Sequence, residues 1–151
     1  MGRLADLITL FGLFVGQAAF LLPVLTGMLR NGIEGSAFSV VQEPQAIIIG
    51  PTRELVTQIH REARKFAYNT VVRAVVVYGG VTSSHQAREV GKGAHLVVGT
   101  PGRLIDFVRR GYVSYWHFFS WYFQTINDAL LFSNLDIAVL YVKCNKLKCM
   151  F

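Results

Sequence analysis

Three short strings constrain this chain more than anything else in it: PTRELVTQ at Pro51–Gln58, VYGG at Val77–Gly80 and GTPGR at Gly99–Arg103. Each is attached to an apolar run of the kind that makes a strand buried on both faces: Ala46–Ile49, Val71–Tyr78 and Leu96–Val98. The first and third strings also open helices. Residues 52–66 carry Leu55, Ile59, Ala63 and Phe66 on one stripe, with Arg61, Arg64 and Lys65 off it. Thr100 is a favoured cap, Pro101 a favoured first helical residue, and that helix runs to about Arg110 with Leu104, Ile105 and Val108 inward. Residues 83–90 predict a further short helix. Strand alternating with helix predicts an α/β domain, a parallel sheet covered on both faces with its polar junctions along one edge, where ligands bind.

The junction residues suit phosphates. A diglycine after a strand leaves two backbone N–H groups open to an anion. Thr100 and the amides of Gly102 and Arg103 lie at a helix N-terminus, where orphan donors and the dipole favour a phosphate oxygen, and Thr52 begins another helix in the same way. Arg53 and Arg103 add forked guanidinium donors. Three phosphate-sized sites on one edge fit a polyanion backbone better than one small metabolite. The net charge of +6 agrees, because residues 44–113 hold ten Lys/Arg against four acids and the remainder sums to zero. The plain alternative is that these arginines only solvate helix faces.

The flanks follow a different design. Leu7–Leu29 contains no charged residue and is long enough for a membrane span, and with Arg3 and the small residues Gly16-Gln17-Ala18-Ala19 it also imitates a signal peptide. Read otherwise, Ala18–Leu29 is a core helix with Phe20, Leu21, Val24, Leu25 and Met28 at helical spacing. Ser114–Phe123 holds seven aromatic residues in ten positions, and residues 126–142 are mostly aliphatic, without strand-helix alternation. Ile126–Val142 is a second apolar stretch long enough to weigh as a span, with Asp136 inside it. Cys144 and Cys149 form C-x4-C and four histidines are scattered. Two thiols cannot complete a tetrahedral zinc site, so no metal site is expected and the cysteines read as reduced and non-catalytic.

PTRELVTQ, the GG after VVVY, and TPGRLID resemble motifs Ia, Ib and Ic of the DEAD-box ATP-dependent RNA helicases. AAFLLPVLTGM, FSVVQEPQAIIIGPTREL, EARKFAYNT and VRAVVVYGGV resemble the Vasa-type, germline subfamily within it. The resemblance covers Ala18 to Val113. It implies a RecA-like fold, here a partial parallel sheet with flanking helices, incomplete at both ends. By the same resemblance Pro51, Thr52, Arg53, Glu54, Gly79, Gly80, Thr100, Pro101, Gly102 and Arg103 line the RNA-backbone side, with single-stranded or duplex RNA as partner. It further implies ATP and Mg²⁺ as cofactors and a cytoplasmic, germ-granule location, and it favours the core-helix reading of Ala18–Leu29 over a membrane span.

The chain departs from the family pattern at two places. With AAFLLP aligned, Gly16 and Gln17 stand where the Walker A lysine and threonine belong, and the upstream Q-motif is missing. A neutral glycine cannot replace an ammonium facing the β- and γ-phosphates. Aromatic text from Ser114 onward stands where the Asp-Glu-Ala-Asp strand belongs, and no Asp-Glu pair occurs after it. That strand would hold Mg²⁺ and orient the attacking water. The helicase cycle also needs a second RecA-like domain, which is not expected within these residues. The expectation is three segments: an unmatched residues 1–17, a partial first RecA-like domain over 18–113, and an unmatched tail over 114–151. No residue is assigned a catalytic role, ATP and Mg²⁺ binding is expected to be lost, and at most weak RNA-backbone contact is expected to remain. The alternative is a non-functional or membrane-associated product of a truncated or mis-joined reading frame, its sheet left with unpaired edges that favour aggregation.

Overall fold

A computed structural model describes residues 17–30, 32–33, 41–114 and 138–141, the last as backbone only. Residues 17–30 form helix α1. Strand β1 (Ala46–Ile49) leads to α2 (Arg53–Phe66), β2 (Ala74–Val77) to α3 (Ser83–Gly91), and β3 (Leu96–Gly99) to α4 (Pro101–Arg109). A fourth strand, β4, spans Ala138–Tyr141.

The sheet order is β2-β3-β1-β4. β3 lies between β2 and β1 and is parallel to both, with Leu96 level with Ala74 on one side and Ala46 on the other. The strand ends Ile49, Val77 and Gly99 are therefore level too. β4 runs antiparallel to β1, with Ala46 opposite Tyr141 and Ile49 opposite Ala138.

The alternation of side chains along a strand divides the core in two. Ala46, Ile48, Leu96 and Val98 face α1 and α2, where Leu21, Leu25, Met28, Val56 and Ile59 are buried. Ile47, Val75, Val77 and Val97 face the other way, onto Val90 of α3 and Leu104, Phe107 and Val108 of α4. This two-sided burial explains why the strands read as continuous apolar runs.

The α/β alternation agrees with the sequence reading, with three informative differences. The second strand begins at Ala74, not Val71. Asn69 takes a left-handed φ of 59°, and the Thr70 hydroxyl donates to the Ala67 carbonyl at 2.7 Å and accepts the Val72 N–H at 3.2 Å. Those bonds hold Thr70–Val72 out of the strand despite its β-branched residues. Secondly, Phe107 is fully buried on α4 and stacks edge-on against Tyr112 at 5.3 Å. Thirdly, β1 is not left as an unpaired edge, because β4 pairs along it.

Helix α1 buries Leu21, Val24, Leu25 and Met28 against the sheet, as a core helix does. Among the described residues no helix is long and apolar enough to cross a membrane. All of Leu7–Gly16, most of the aromatic stretch and of Ile126–Val142, and both cysteines lie outside the described residues.

Candidate nucleic-acid interface

Level strand ends bring the three junctions side by side on one sheet edge. Neighbouring strands lie about 4.8 Å apart, so the outer junctions are roughly 10 Å from one another across the central one. The β1 junction passes through Gly50 and Pro51 into α2. Thr52 takes an extended conformation (φ −120°, ψ 153°), and its hydroxyl accepts the Leu55 N–H at 3.3 Å. That cap leaves the amides of Arg53 and Glu54 without intrahelical partners. The Glu54 carboxylate sits in the first turn, where it complements the helix dipole.

The β3 junction differs from its sequence reading. Thr100 occupies the N-cap position of α4, but its side chain makes no capping bond. Its N–H donates instead to the Val77 carbonyl at 3.0 Å, which ties this junction to the exit of β2. With Pro101 lacking an N–H, the open donors at this helix start are the amides of Gly102 and Arg103 and the Thr100 hydroxyl. Gly99, just before it, is a glycine for reasons of space. An added Cβ there would lie 2.6 Å from Val77 Cγ2 and 2.8 Å from the Val77 carbonyl oxygen.

At the β2 junction the chain turns through Gly79 and Gly80, both exposed, with Gly80 at a φ of 81° that side chains rarely adopt. The two guanidinium groups meet this turn from opposite sides. Arg53 lies over the ring of Tyr78, its Cζ 4.7 Å from the centroid. A Cβ on Gly80 would sit 3.8 Å from its Nη1. Arg103 reaches across from α4 and donates Nη2–H to the Val81 carbonyl at 2.8 Å, with its Cζ 5.9 Å from the Phe107 ring centroid.

Among the described residues neither arginine is ion-paired. The salt bridges among the described residues are Lys65–Glu62, Arg73–Glu89, Lys92–Glu89 and Arg110–Asp106, all away from this edge. Arg53 thus keeps its side-chain donors free of any acceptor among the described residues, and Arg103 commits one. The edge combines fixed N–H donors with two available cations, the chemistry that holds a phosphate oxygen.

Every predicted site residue except the glycine at position 16 lies among the described residues, and all ten junction residues fall on this edge. Two contributors escaped the sequence reading. Tyr78 carries a recognisable signal: it continues the Ala74, Val76 alternation toward α2, where Arg53 begins. Gln86 carries none. It is 7% exposed, accepts the Tyr78 N–H at Oε1 (3.3 Å) and donates from Nε2 to the Tyr78 carbonyl (3.1 Å). A cleft of about 780 Å³ runs from there along the outer side of β2, lined by His60, Arg64, Arg73, His85 and Glu89 among others.

Three parallel strands with this edge define a class, and comparison with known proteins agrees. The chain belongs to the DEAD/DEAH box helicase family, whose model matches residues 18–125. Within that family it is similar to Vasa-type proteins. It is 53% identical over 91 residues to the probable ATP-dependent RNA helicase DDX4 of Homo sapiens, 60% of this chain and 13% of that protein. It is 50% identical over 93 residues to the corresponding protein of Pelophylax lessonae, covering 62% of this chain and 13% of that one. To the probable vasa-like ATP-dependent RNA helicase of Penaeus vannamei it is 47% identical over 94 residues, again 62% and 13% of the two chains. The chain therefore spans about an eighth of the length of these relatives. Solved structures share the fold, two of them DEAD-box proteins of the Prp28 type. The yeast DEAD-box splicing factor Prp28 superposes with a TM-score of 0.55 at 30% identity, covering 63% of this chain and 22% of that one. The RNA-helicase Prp28 from Chaetomium thermophilum, solved bound to ADP, gives 0.50 at 42% identity, covering 62% and 22%.

Proposed function

We propose that residues 18–113 act as a weak, sequence-independent RNA-backbone contact surface, without ATP hydrolysis or unwinding. The observation that carries this reading is the level register of three junctions, with two guanidiniums that have no ion pair among the described residues beside open backbone amides. Pro51, Thr52, Arg53, Glu54, Gly79, Gly80, Thr100, Pro101, Gly102 and Arg103 form the surface. Arg53 and Arg103 supply the charge, and the amides near Gly80 and Gly102 supply fixed donors. Contacts of this kind position a backbone and carry no base information.

The cofactors implied by the family, ATP and Mg²⁺, fit the residues present poorly. Gln17 stands at the start of α1, 3% exposed, with neither its amide oxygen nor its amide nitrogen hydrogen-bonded. A neutral amide offers no charge to a triphosphate and no hydroxyl to a magnesium ion. The sequence after Val113 supplies no Asp-Glu pair to hold the metal. The chemistry left to this chain is binding.

The test is fluorescence anisotropy of labelled oligouridylate across a salt series. Two phosphate contacts give a slope of log K against log salt of about −1.4 for a single strand, a loss of about sevenfold between 50 and 200 mM. Arg53→Ala and Arg103→Ala should each weaken binding and reduce the slope by about 0.7. No binding by the unaltered chain at low salt, or an unchanged slope in the double variant, would refute the proposal. Phosphate release stimulated by RNA in a purified, monodisperse sample would refute its second half.

A further inference from the structure

We infer that Tyr78 and Gln86 are positioning residues for Arg53, a relay from the buried side of α3 to the phosphate-facing edge. The inference rests on the RNA-backbone reading of that edge.

An exposed arginine has a long, freely rotating stem, and holding it in one pose for a ligand costs conformational entropy. Arg53 has no ion pair or side-chain acceptor among the described residues to hold it. What it has is the Tyr78 ring, 4.7 Å from its Cζ. Stacking on an aromatic face uses the flat side of a guanidinium and leaves its in-plane N–H groups pointing outward. Those are the donors that form the fork to a phosphate. The ring therefore orients the cation without competing for the hydrogen bonds that the ligand needs.

A platform works only if it is itself fixed. Tyr78 is the last residue before two glycines, whose lack of side chains leaves the following turn nothing to pack with. Three contacts hold it. Its side chain packs on the core cluster to which α1 and α2 contribute. On the β3 side, the preceding carbonyl of Val77 is held by the Thr100 N–H at 3.0 Å. On the open side, where a further strand would otherwise pair, the Gln86 amide both accepts the Tyr78 N–H and donates to its carbonyl. The buried glutamine thus replaces one residue of a neighbouring strand. Register along β2 and the rotamer of Arg53 become linked through a single ring.

Gln86 and Tyr78 touch no ligand in this scheme; they act through Arg53, and that makes the inference separable from plain packing. The experiment compares the full chain with Tyr78→Phe, Tyr78→Leu and Gln86→Leu, each alone and combined with Arg53→Ala. Binding of labelled oligouridylate is read against salt, and circular dichroism confirms that each variant is folded. Tyr78→Phe should bind as the unaltered chain does, because the ring face is kept. Tyr78→Leu should weaken binding about two- to fivefold, as expected for loss of a cation–π contact at a surface. Gln86→Leu should weaken it in the same direction, and both effects should vanish when Arg53 is already alanine. Equal weakening with and without Arg53, or a Phe variant as weak as Leu, overturns the inference. So does full binding by Tyr78→Leu when Arg53→Ala binds poorly.

A second readout separates this inference from the reading beneath it. The Arg53 Nε–H resonance should be shifted upfield by the Tyr78 ring and return to an ordinary position in Tyr78→Leu. An unaltered chain that shows the shift but binds no RNA refutes the RNA-backbone reading and leaves the positioning geometry standing. An Arg53 resonance unaffected by loss of the ring refutes the positioning itself.

Discussion

Alanine at Gly99 puts the level alignment of the three junctions under direct strain. The new Cβ would lie 2.6 Å from Val77 Cγ2, 2.8 Å from Leu104 Cγ and 2.8 Å from the Val77 carbonyl oxygen. The two side-chain atoms can rotate away. The carbonyl cannot, because it already accepts the Thr100 N–H at 3.0 Å and belongs to the strand that pairs with β3. Overpacking of this kind costs about 1–3 kcal/mol. Reduced freedom of the unfolded chain offsets about 0.4–1 kcal/mol of that. The net loss is about 1–2 kcal/mol, a fall of roughly 2–8 °C in Tm for a chain of this size. Gly102→Ala is the matched control. Nothing lies within 4 Å of an added Cβ there, and the position is helical. That variant should gain about 0.4–1 kcal/mol. Thermal and urea unfolding followed by circular dichroism measures both. A Gly99→Ala chain as stable as the unaltered one, or a Gly102→Ala chain destabilised equally, would refute the packing argument.

The two threonine caps should also part company: Thr52→Ala should cost about 1 kcal/mol, since its hydroxyl caps Leu55, and Thr100→Ala much less, since its hydroxyl caps nothing. Urea midpoints of the two variants decide this, and equal losses would contradict the geometry. Stability should also depend on pH in a defined window. Burial, followed by the nearby Arg73 charge, pushes His95 below its ordinary 6.5, and its Nδ1 accepts the Arg73 N–H at 2.9 Å. Burial, with a smaller effect from Arg64, lowers His60 as well, partly opposed by its bond to the Ala74 carbonyl. Below pH 6.5 the unfolded chain takes up protons that the folded one resists, so stability is complete above that pH and declines as pH falls beneath it. The urea midpoint should therefore drop between about pH 7.5 and pH 5.5, and less steeply in His95→Gln.

How far the sequence could be read depended on whether a residue's partner was near it in the chain. The start of α2 was legible because Thr52 and Leu55 are three residues apart, and the buried strands because every member is apolar. Thr100 satisfied the same local rule and yet caps nothing, because the Val77 carbonyl fixes its backbone from another strand. Val71 looked like a strand residue until the Thr70 hydroxyl bonds are seen, and it is 68% exposed. Gln86 was invisible for the same reason: a polar residue on a short helix reads as solvated, and only its bonds to Tyr78 explain its burial. Gln42 pairs with Val113, seventy-one positions along the chain, and nothing local to either residue announces it. Residues 138–141 are as apolar as the other strands, but they sit in a mostly aliphatic stretch without strand-helix alternation, and pairing along the edge of β1 gives them their place.

The strand order has a consequence for how quickly this edge can be assembled. β2 and β3 are joined through one short helix, with paired residues 74 and 96 close in sequence. β1 must instead find β3 fifty positions along the chain (46 and 96), and β4 must find β1 across ninety-five (46 and 141). Closing longer loops costs more entropy, and distant pairings slow folding. The β2-α3-β3 unit is thus the natural nucleus, bringing Tyr78, Gln86, the diglycine turn and the Thr100 junction together early. Arg53 arrives later, when β1 and α2 dock. Contact between its guanidinium and the Tyr78 ring is then a kinetic marker of docking, one that separates the local unit from the completed sheet.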